Sequence, residues 1–569
     1  MSSAPRRRRL VLVSATAVAG AVLPMCAATA GLVAEPVRAS APGAALALDP
    51  VGTYETGVFD ESAAEIVEHY AAAQRLLVVN AAQAKVEVLD AADPSAPAKL
   101  FDLQTTGVAS ADGSSVPAGA VANSVAVRED GLGVVAVEGE DKTDDGWLVF
   151  FDAAGDGDAL GAVRVGALPD MVTVTPDGSR AVVANEGEPA EDYSVDPEGT
   201  VSVVDLPASV TVPEQSAVRT ATFHAFEGAA LPQGIRVYGG RADAGTGTPA
   251  RPVSENLEPE YVTVDQQSRT AYVTLQEANG VAVVDLRSAT VRDLWSLGTV
   301  DRSVVPLDAS DRDGVNIRTY AHLRTFRQPD AIASYQVRGR TYLVTADEGD
   351  TRDWDGYSEE VRVGDLGKNG LAPACDAVKA GDGFSRLSRL KITTADGLDA
   401  AGTCYDTLYG FGGRSLSVFT TDGTLVATTG DELERFTAAA LPAFFNSDHG
   451  TSAFDNRSDD KGPEPEGVTI GKVGGRTYAF LGLERVGGVV AYDVTDPTRP
   501  RLVTWTNNRD FSVSGSSDLA RAGDLGPEGL TFISGEDSPT GRPLVAVGNE
   551  VSGTTTLLDV APVGPAARR

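Results

Sequence analysis

The stretch PEGVTIGKVGGRTYAFLGLERVGGVVAYDV (Pro465–Val494) carries the pattern that decides the fold. Two runs rich in Val, Ile, Tyr and Phe are separated by a Gly-Gly turn, and a third run follows a second Gly-Gly pair. β-Branched and aromatic residues favour strands, and glycines between such runs favour tight turns. The stretch therefore predicts three antiparallel strands joined by short connections.

The same three-strand pattern recurs along the chain. Seven copies begin, in order, at Ala64, Ala122, Pro169, Pro259, Pro329, Pro465 and Pro527. Repeated units of three or four strands are typical of a β-propeller. We therefore predict an all-β, seven-bladed β-propeller with loop insertions, and eight blades if residues 405–430 form a blade of their own. The last copy lacks a fourth strand, which residues 51–60 are expected to supply, removing an open sheet edge.

The repeat and its interruptions predict the domain organisation. The arginines of Arg6–Arg9, an apolar run and a small-residue cleavage site indicate a signal peptide for Sec or twin-arginine export. The predicted segments are a signal peptide at 1–30, a linker at 31–50, a propeller at 51–562 with insertions at 207–256, 300–327, 351–403 and 431–462, and a tail at 563–569. We expect a secreted protein with no membrane span after signal removal and no C-terminal anchor.

The composition restricts the partners. The chain has 47 Lys and Arg residues against 80 Asp and Glu residues, a formal net charge of -33. Phosphate backbones are bound by positive surfaces, so we expect no nucleic-acid partner. The acidic excess suits an exported protein that stays soluble, or one that holds cations.

Two cysteines, Cys375 and Cys404, remain after the predicted signal peptide. Because exported proteins enter oxidising surroundings, we predict a disulfide between them. Two free thiols are the alternative.

Acidic residues recur at two places in each copy, at the start of the first predicted strand and at the end of the second. In a propeller both places lie at one face beside the central channel. We call these positions the acid ring: Glu65, Asn80, Asn123, Glu138, Asp170, Glu186, Glu260, Glu277, Asp330, Glu348, Glu466, Glu484, Glu528 and Glu550. Only two of them are not acidic.

Carboxylates gathered in this way need raised pKa values or bound cations. Oxygen ligands suit calcium or magnesium over zinc, and we predict calcium. The predicted metal ligands are Asp170, Glu186, Glu260, Asp330, Glu348, Glu466, Glu484 and Glu528. The alternative is that each acid accepts hydrogen bonds from backbone amides of the turns.

The insertion before the sixth copy, FNSDHGTSAFDNRSDDKGPEPEG (Phe445–Gly467), brings charges of both signs to this face. It leads into a first strand, so it should lie over the mouth of the channel. The predicted ligand-binding residues are Arg457, Asp459, Asp460 and Arg485. Such a mixture fits a phosphate-ester or sugar site above a cation, and equally a solvated lid.

The motifs GPEPEGVTIGKVGGRTYAFLGLERVGG, LPDMVTVTPDGSRAVVANEGEP and QPDAIASYQVRGRTYLVTADEGD resemble those of the choice-of-anchor I family, over about residues 50–560. That family is related to a mesenchyme-specific cell-surface glycoprotein of echinoderms, and the resemblance implies an exported propeller. A more distant similarity to phytase-like and PhoX-type alkaline phosphatase propellers implies calcium and a metal-dependent phosphoesterase. No catalytic residue is carried over.

Three functional hypotheses follow. The first is an exported propeller whose acidic funnel binds a divalent cation and, through it, an extracellular ligand. The second is a calcium-dependent phosphoesterase acting on a phosphate ester in the same funnel. The third is an adhesive scaffold that needs no metal.

Overall fold

The computed structural model describes residues 32–237, 252–513 and 518–563. Within these residues nearly all regular structure is β, and the α-helices are the short α1 (Asp376–Lys379) and α2 (Glu432–Ala440). The predicted all-β class is confirmed. The predicted signal peptide and residues 564–569 of the predicted tail lie outside the described residues.

Four sheets, each made of four consecutive antiparallel strands, form the first half of the repeat. The first sheet contains β3 (Val67–Tyr70), β4 (Arg75–Asn80), β5 (Lys85–Asp90) and β6 (Ala98–Gln104). The second contains β7 (Val121–Val127), β8 (Leu132–Glu138), β9 (Asp145–Asp152) and β10 (Ala159–Ala167). The third contains β11 (Pro169–Val174), β12 (Arg180–Asn185), β13 (Thr200–Asp205) and β14 (Val218–Thr222). The fourth contains β15 (Pro259–Val264), β16 (Thr270–Leu275), β17 (Gly280–Asp285) and β18 (Thr290–Ser296).

Three further sheets follow, and two of them take a strand from the N-terminal segment. The fifth contains β21 (Ile332–Val337), β22 (Arg340–Asp347), β28 (Ser415–Thr420) and β29 (Leu425–Thr428). The sixth contains β30 (Pro465–Val473), β31 (Arg476–Leu483), β32 (Val489–Asp493) and β33 (Arg501–Asn507), with β1 (Val37–Ser40) outside β33. The seventh contains β34 (Pro527–Ile533), β35 (Leu544–Asn549) and β36 (Thr554–Pro562), completed by β2 (Leu46–Glu55).

The structure differs from the predicted linker at 31–50. β1 pairs with β33 and β2 pairs with β36, so this segment covers the outer edges of two sheets. An uncovered sheet edge has unpaired backbone N–H and C=O groups that can pair with another chain. The N-terminal segment forms strands because it pairs with these groups. The strand predicted to complete the last copy is present, but it begins at Leu46 and ends at Glu55.

The predicted insertions also contain regular structure. The range 207–256 includes β14, which belongs to the third sheet, and residues 415–428 complete the fifth sheet. Further short strands lie in or beside the insertions, and one of them, β20, pairs in parallel with the distant β27. These strands are β19 (Thr299–Asp301), β20 (Leu323–Phe326), β23 (Asp353–Trp354), β24 (Tyr357–Ser358), β25 (Glu360–Arg362), β26 (Lys391–Thr393) and β27 (Leu408–Gly410). The range 431–462 contains α2.

The first strands of the seven sheets contact one another in a circuit. In order, β3 contacts β7, then follow β11, β15, β21, β30 and β34, and β34 contacts β3 again. Side-chain hydroxyls link neighbours in this inner ring of strands: Ser124 Oγ accepts from Val172 N at 3.2 Å, and Thr531 Oγ1 donates to Val67 O at 2.9 Å. We call these seven strands the inner ring.

The glycine of the Pro-Glu-Gly motif permits the close approach of two inner strands. A Cβ atom added to Gly467 would lie 1.8 Å from the carbonyl oxygen of Glu528. A Cβ on Gly529 would lie 2.6 Å from the carbonyl oxygen of Glu65. Only glycine therefore fits where β30 meets β34 and where β34 meets β3.

A satellite core lies under the insertions around the disulfide. Cys375 and Cys404 are bonded, with their Cα atoms 5.0 Å apart, as predicted. The bond lies beside buried apolar side chains that include Leu323, Leu390 and Leu408. Neither α-helix of the described residues has the length or apolar character of a membrane-spanning helix.

Candidate functional site

Bulges at the start of the inner strands position the acid ring. The strand register shifts directly after the opening proline in four sheets, between Pro169 and Val172, Pro259 and Val262, Pro465 and Val468, and Pro527 and Leu530. In each case the ring acid is one of the two residues passed over by the shift. Bulges redirect side chains and are common beside functional sites.

The ring carboxyls are buried or partly buried, and neighbouring ones influence one another. Burial raises the pKa of the carboxyls of Glu186, Glu260, Glu348 and Glu466 well above the usual range, and neighbouring acids raise it further. Burial raises the pKa of Glu277 to about 7, and Asp350 adds to this effect. Charged carboxylates at this density are costly unless cations accompany them.

Two groups of three carboxylates share Glu348. The first group is Asp330, Glu348 and Glu466, and the second is Glu348, Glu464 and Glu484. Within each group, one oxygen from every carboxylate lies within 4.8 Å of the others. A single cation can therefore reach all three carboxylates of a group.

Glu466 stands out in the first group. Its side chain is buried, and Oε2 has no hydrogen-bond partner. No Lys or Arg nitrogen of the described residues lies within ion-pair distance of it. The neighbouring Glu348 is held in place, because its Oε2 accepts a hydrogen bond of 2.8 Å from Gln276 Nε2. A buried carboxylate oxygen without a donor is a position that a cation would satisfy.

Cationic side chains surround the second group. Glu464 forms ion pairs with Arg457 at 2.8 Å, with Lys461 at 3.2 Å and, in a short contact, with Arg485. Arg485 also contacts Glu484 Oε1 at 2.8 Å. Burial alone would raise the pKa of Glu464, but these three cations hold it well below the usual range. Glu464 is thus an ionised anchor for the loop.

The remaining predicted metal residues lie elsewhere on the acid ring. Glu528 forms a third group within 4.8 Å with Glu65 and Glu550. Asp170 and Glu260 both contribute to the raised pKa of Glu186. Among the described residues, Asp170, Glu186 and Glu260 do not form a group with one oxygen each within 4.8 Å.

The predicted ligand-binding residues have protein partners. Arg457 and Arg485 both bind Glu464, as described above. Asp459 is buried and pairs with Arg362 and with Arg389, the latter at 3.0 Å. Asp460 pairs with Lys391 at 3.0 Å and with Arg457 at 3.2 Å. These contacts fasten the loop to its surroundings.

Sequence reasoning missed three contributors. Glu464 precedes the motif proline and has a left-handed backbone, with φ 48°. Gln276, at the end of β16, orients Glu348, although the repeat pattern pointed to Glu277. His449 lies 3.7 Å from Glu484 Oε1, and burial together with Arg485 lowers its pKa to about 4. The doubled acid in PEPEG was the one available signal for Glu464.

Comparison with known proteins gives a family match and two curated relatives. The profile of the choice-of-anchor I domain matches residues 65–497. The "Mesenchyme-specific cell surface glycoprotein" of Strongylocentrotus purpuratus is 30% identical over 284 residues, which is 42% of this chain and 35% of that protein. "Gigasin-3a" of Magallana gigas is 30% identical over 184 residues, 31% of this chain and 64% of that protein. The matches thus span about a third of the first relative and just under two thirds of the second.

Among solved structures, the chain is similar to the Cps50 (Swd1) β-propeller domain of Myceliophteria thermophila. The TM-score is 0.40 and the identity 10%, over 90% of this chain and 100% of that one. A likeness at this level says nothing about function.

Proposed function

The chain belongs to the choice-of-anchor I family, and from this premise we propose that it is an extracellular seven-bladed propeller that binds calcium and, through it, an extracellular ligand. The name of the sea-urchin relative supports a cell-surface setting. The predicted signal peptide, the disulfide and the acidic surface charge agree with export.

The seven sheets supply the blades of the proposed propeller. The contact circuit of the inner ring supports closure, since the last first-strand, β34, meets the first, β3. The N-terminal β2 in the seventh sheet supports it further, because it joins both ends of the chain in one blade.

The single observation that carries the cation proposal is Glu466 Oε2, which is buried without a hydrogen-bond donor beside Asp330 and Glu348. Three carboxylates offer up to six oxygens, which fits the preference of calcium for many oxygen ligands in adaptable geometry. Nitrogen and sulfur ligands, which zinc prefers, are not part of this group. We therefore assign the cation to Asp330, Glu348 and Glu466.

The test is calcium titration of the metal-stripped chain by isothermal calorimetry. The wild type should bind calcium, and Glu466→Gln should weaken binding by at least tenfold, because the neutral amide removes one ligand charge. Glu129→Gln is the matched control, since Glu129 is exposed in a turn outside the acid ring. Calcium at a hundred times its Kd should also stabilise the fold by about 2.7 kcal/mol. If EDTA leaves the unfolding temperature unchanged and no calcium binds, the metal-free scaffold is favoured instead.

The calcium-dependent phosphoesterase stays a prediction. In this alternative either Arg457 or Arg485 is expected to contact phosphate, and both of them bind Glu464. A phosphate ester would have to compete with that carboxylate for them. Hydrolysis of a generic phosphomonoester that requires calcium and is lost in Glu466→Gln would establish this activity.

A further inference from the structure

Lys461 ends the loop above the acid ring and points its ammonium group among carboxylates. Its Nζ lies 3.2 Å from Glu464 Oε1, 3.5 Å from Glu348 Oε1 and 3.6 Å from Asp350 Oδ1. The side chain is buried, so this ammonium group is largely withdrawn from water. It therefore sits where a small cation would be placed by the same oxygens.

The two groups that share Glu348 meet the same 4.8 Å limit but differ in charge balance. In the second group, the carboxylates of Glu348, Glu464 and Glu484 are matched by Lys461, Arg457 and Arg485. In the first group, the described residues place no cation within ion-pair distance of Glu466. A divalent ion added to the second group would meet three carboxylates already matched by three cations, whereas in the first group Glu466 has no such cation and Glu348 shares Lys461 with the second group.

We infer that the Lys461 ammonium takes the place of a second divalent cation, so that the two groups that share Glu348 hold one calcium ion between them, in the first group, and the second group stays closed to metal. This inference rests on the proposed function, since it assumes that calcium binds the first group. Lys461 is then a specificity-determining residue, because it sets how many ions the two groups that share Glu348 accept. It also ties the loop to Glu348, the carboxylate that both groups share.

The loop gives this arrangement its rigidity. Asp459 and Asp460 on one side of Lys461 are fastened to Arg389 and Lys391, and Glu464 on the other side is held by Arg457. The ammonium group is therefore delivered by a backbone anchored at both ends. Without these ion pairs the loop could move away, and ions from the solvent could replace the lysine ammonium among the carboxylates.

The test counts the calcium ions bound to the full exported chain by native mass spectrometry and by calorimetry. The wild type should bind one ion that Glu466→Gln removes, and the counts below refer to ions in the two groups that share Glu348. Lys461→Met should bind two, and Glu484→Gln in that background should return the count to one. Lys85→Met is the matched control, because it removes one buried positive charge, paired with Glu87 at 2.9 Å, in β5 and outside both groups; it should keep a count of one.

The outcomes separate this inference from the proposed function. A wild type that binds no calcium overturns the proposed function. A wild type that binds one ion, lost in Glu466→Gln, with a count of one in Lys461→Met, overturns only the inference, even if calcium binds more tightly. Two ions in the wild type, one of which is lost in Glu484→Gln, overturn it as well. Should Lys461→Met fail to fold, Lys461→Gln removes the same charge while retaining a polar group, and the same count decides.

Discussion

Replacing Gly467 by alanine should separate the two strands that carry Glu466 and Glu528. The new Cβ would lie 1.8 Å from the carbonyl oxygen of Glu528 and 2.7 Å from Leu530 Cδ1. Since the first of these neighbours is backbone, β30 and β34 would have to move apart by more than about 1 Å. Overpacking typically costs about 1–3 kcal/mol, and a backbone neighbour places this case near about 3 kcal/mol.

The assay is urea unfolding, followed by the fluorescence of tryptophans that include the buried Trp505 in β33. Gly450→Ala is the control, because a Cβ there meets nothing within 4 Å. It makes the same change to the unfolded chain, where alanine has less freedom than glycine, and should be neutral or slightly stabilising. Calcium affinity should also fall in Gly467→Ala, since Glu466 shifts. Equal unfolding midpoints and slopes for the two variants would refute the close approach of β30 and β34.

Two further predictions concern pH and the disulfide. Burial raises the pKa of Glu68 to about 7, above its ordinary value of 4.5. The folded state therefore binds the proton of Glu68 more tightly than the unfolded state does. The contribution of Glu68 to the free energy of unfolding is fully present below about pH 4 and is lost as the pH rises through 7. Glu68→Gln should flatten that decline, by about 1–3 kcal/mol between pH 4 and 8, in urea unfolding at several pH values. Replacing Cys375 and Cys404 by alanine should destabilise the satellite core by about 3 kcal/mol, seen as faster proteolysis between these positions; unchanged cleavage rates would contradict this.

Much of the sheet architecture could be predicted from the sequence, because strand formation depends on local patterns. Alternating Val and Tyr residues with Gly turns identified β30 and β31 to within a few residues. The short N-terminal β1 and the first half of β2, residues 46–50, could not be assigned in the same way. They lack the repeat pattern and become strands because the edges of β33 and β36 are available to them.

The candidate site was predicted in outline and not in detail. The repeat placed Asp330 and Glu466 at the start of a first strand and Glu348 at the end of a second strand, and the structure brings one oxygen of each within 4.8 Å of the others. The repeat pattern could not show which arginines were free to bind a ligand. Arg485 looked like a ligand contact, yet it pairs with Glu464 and, at 2.8 Å, with Glu484.

The sequence by itself determined the strands, the repeat and the recurrence of acids at the same two places, since each depends on residues close together in the chain. Only the tertiary structure decided which carboxylates share a cation and which are already neutralised. That choice depends on distances between side chains more than a hundred residues apart, such as Lys461 and Glu348, 3.5 Å from each other. Electrostatic energy depends on these distances and on burial, and neither can be read from a local pattern.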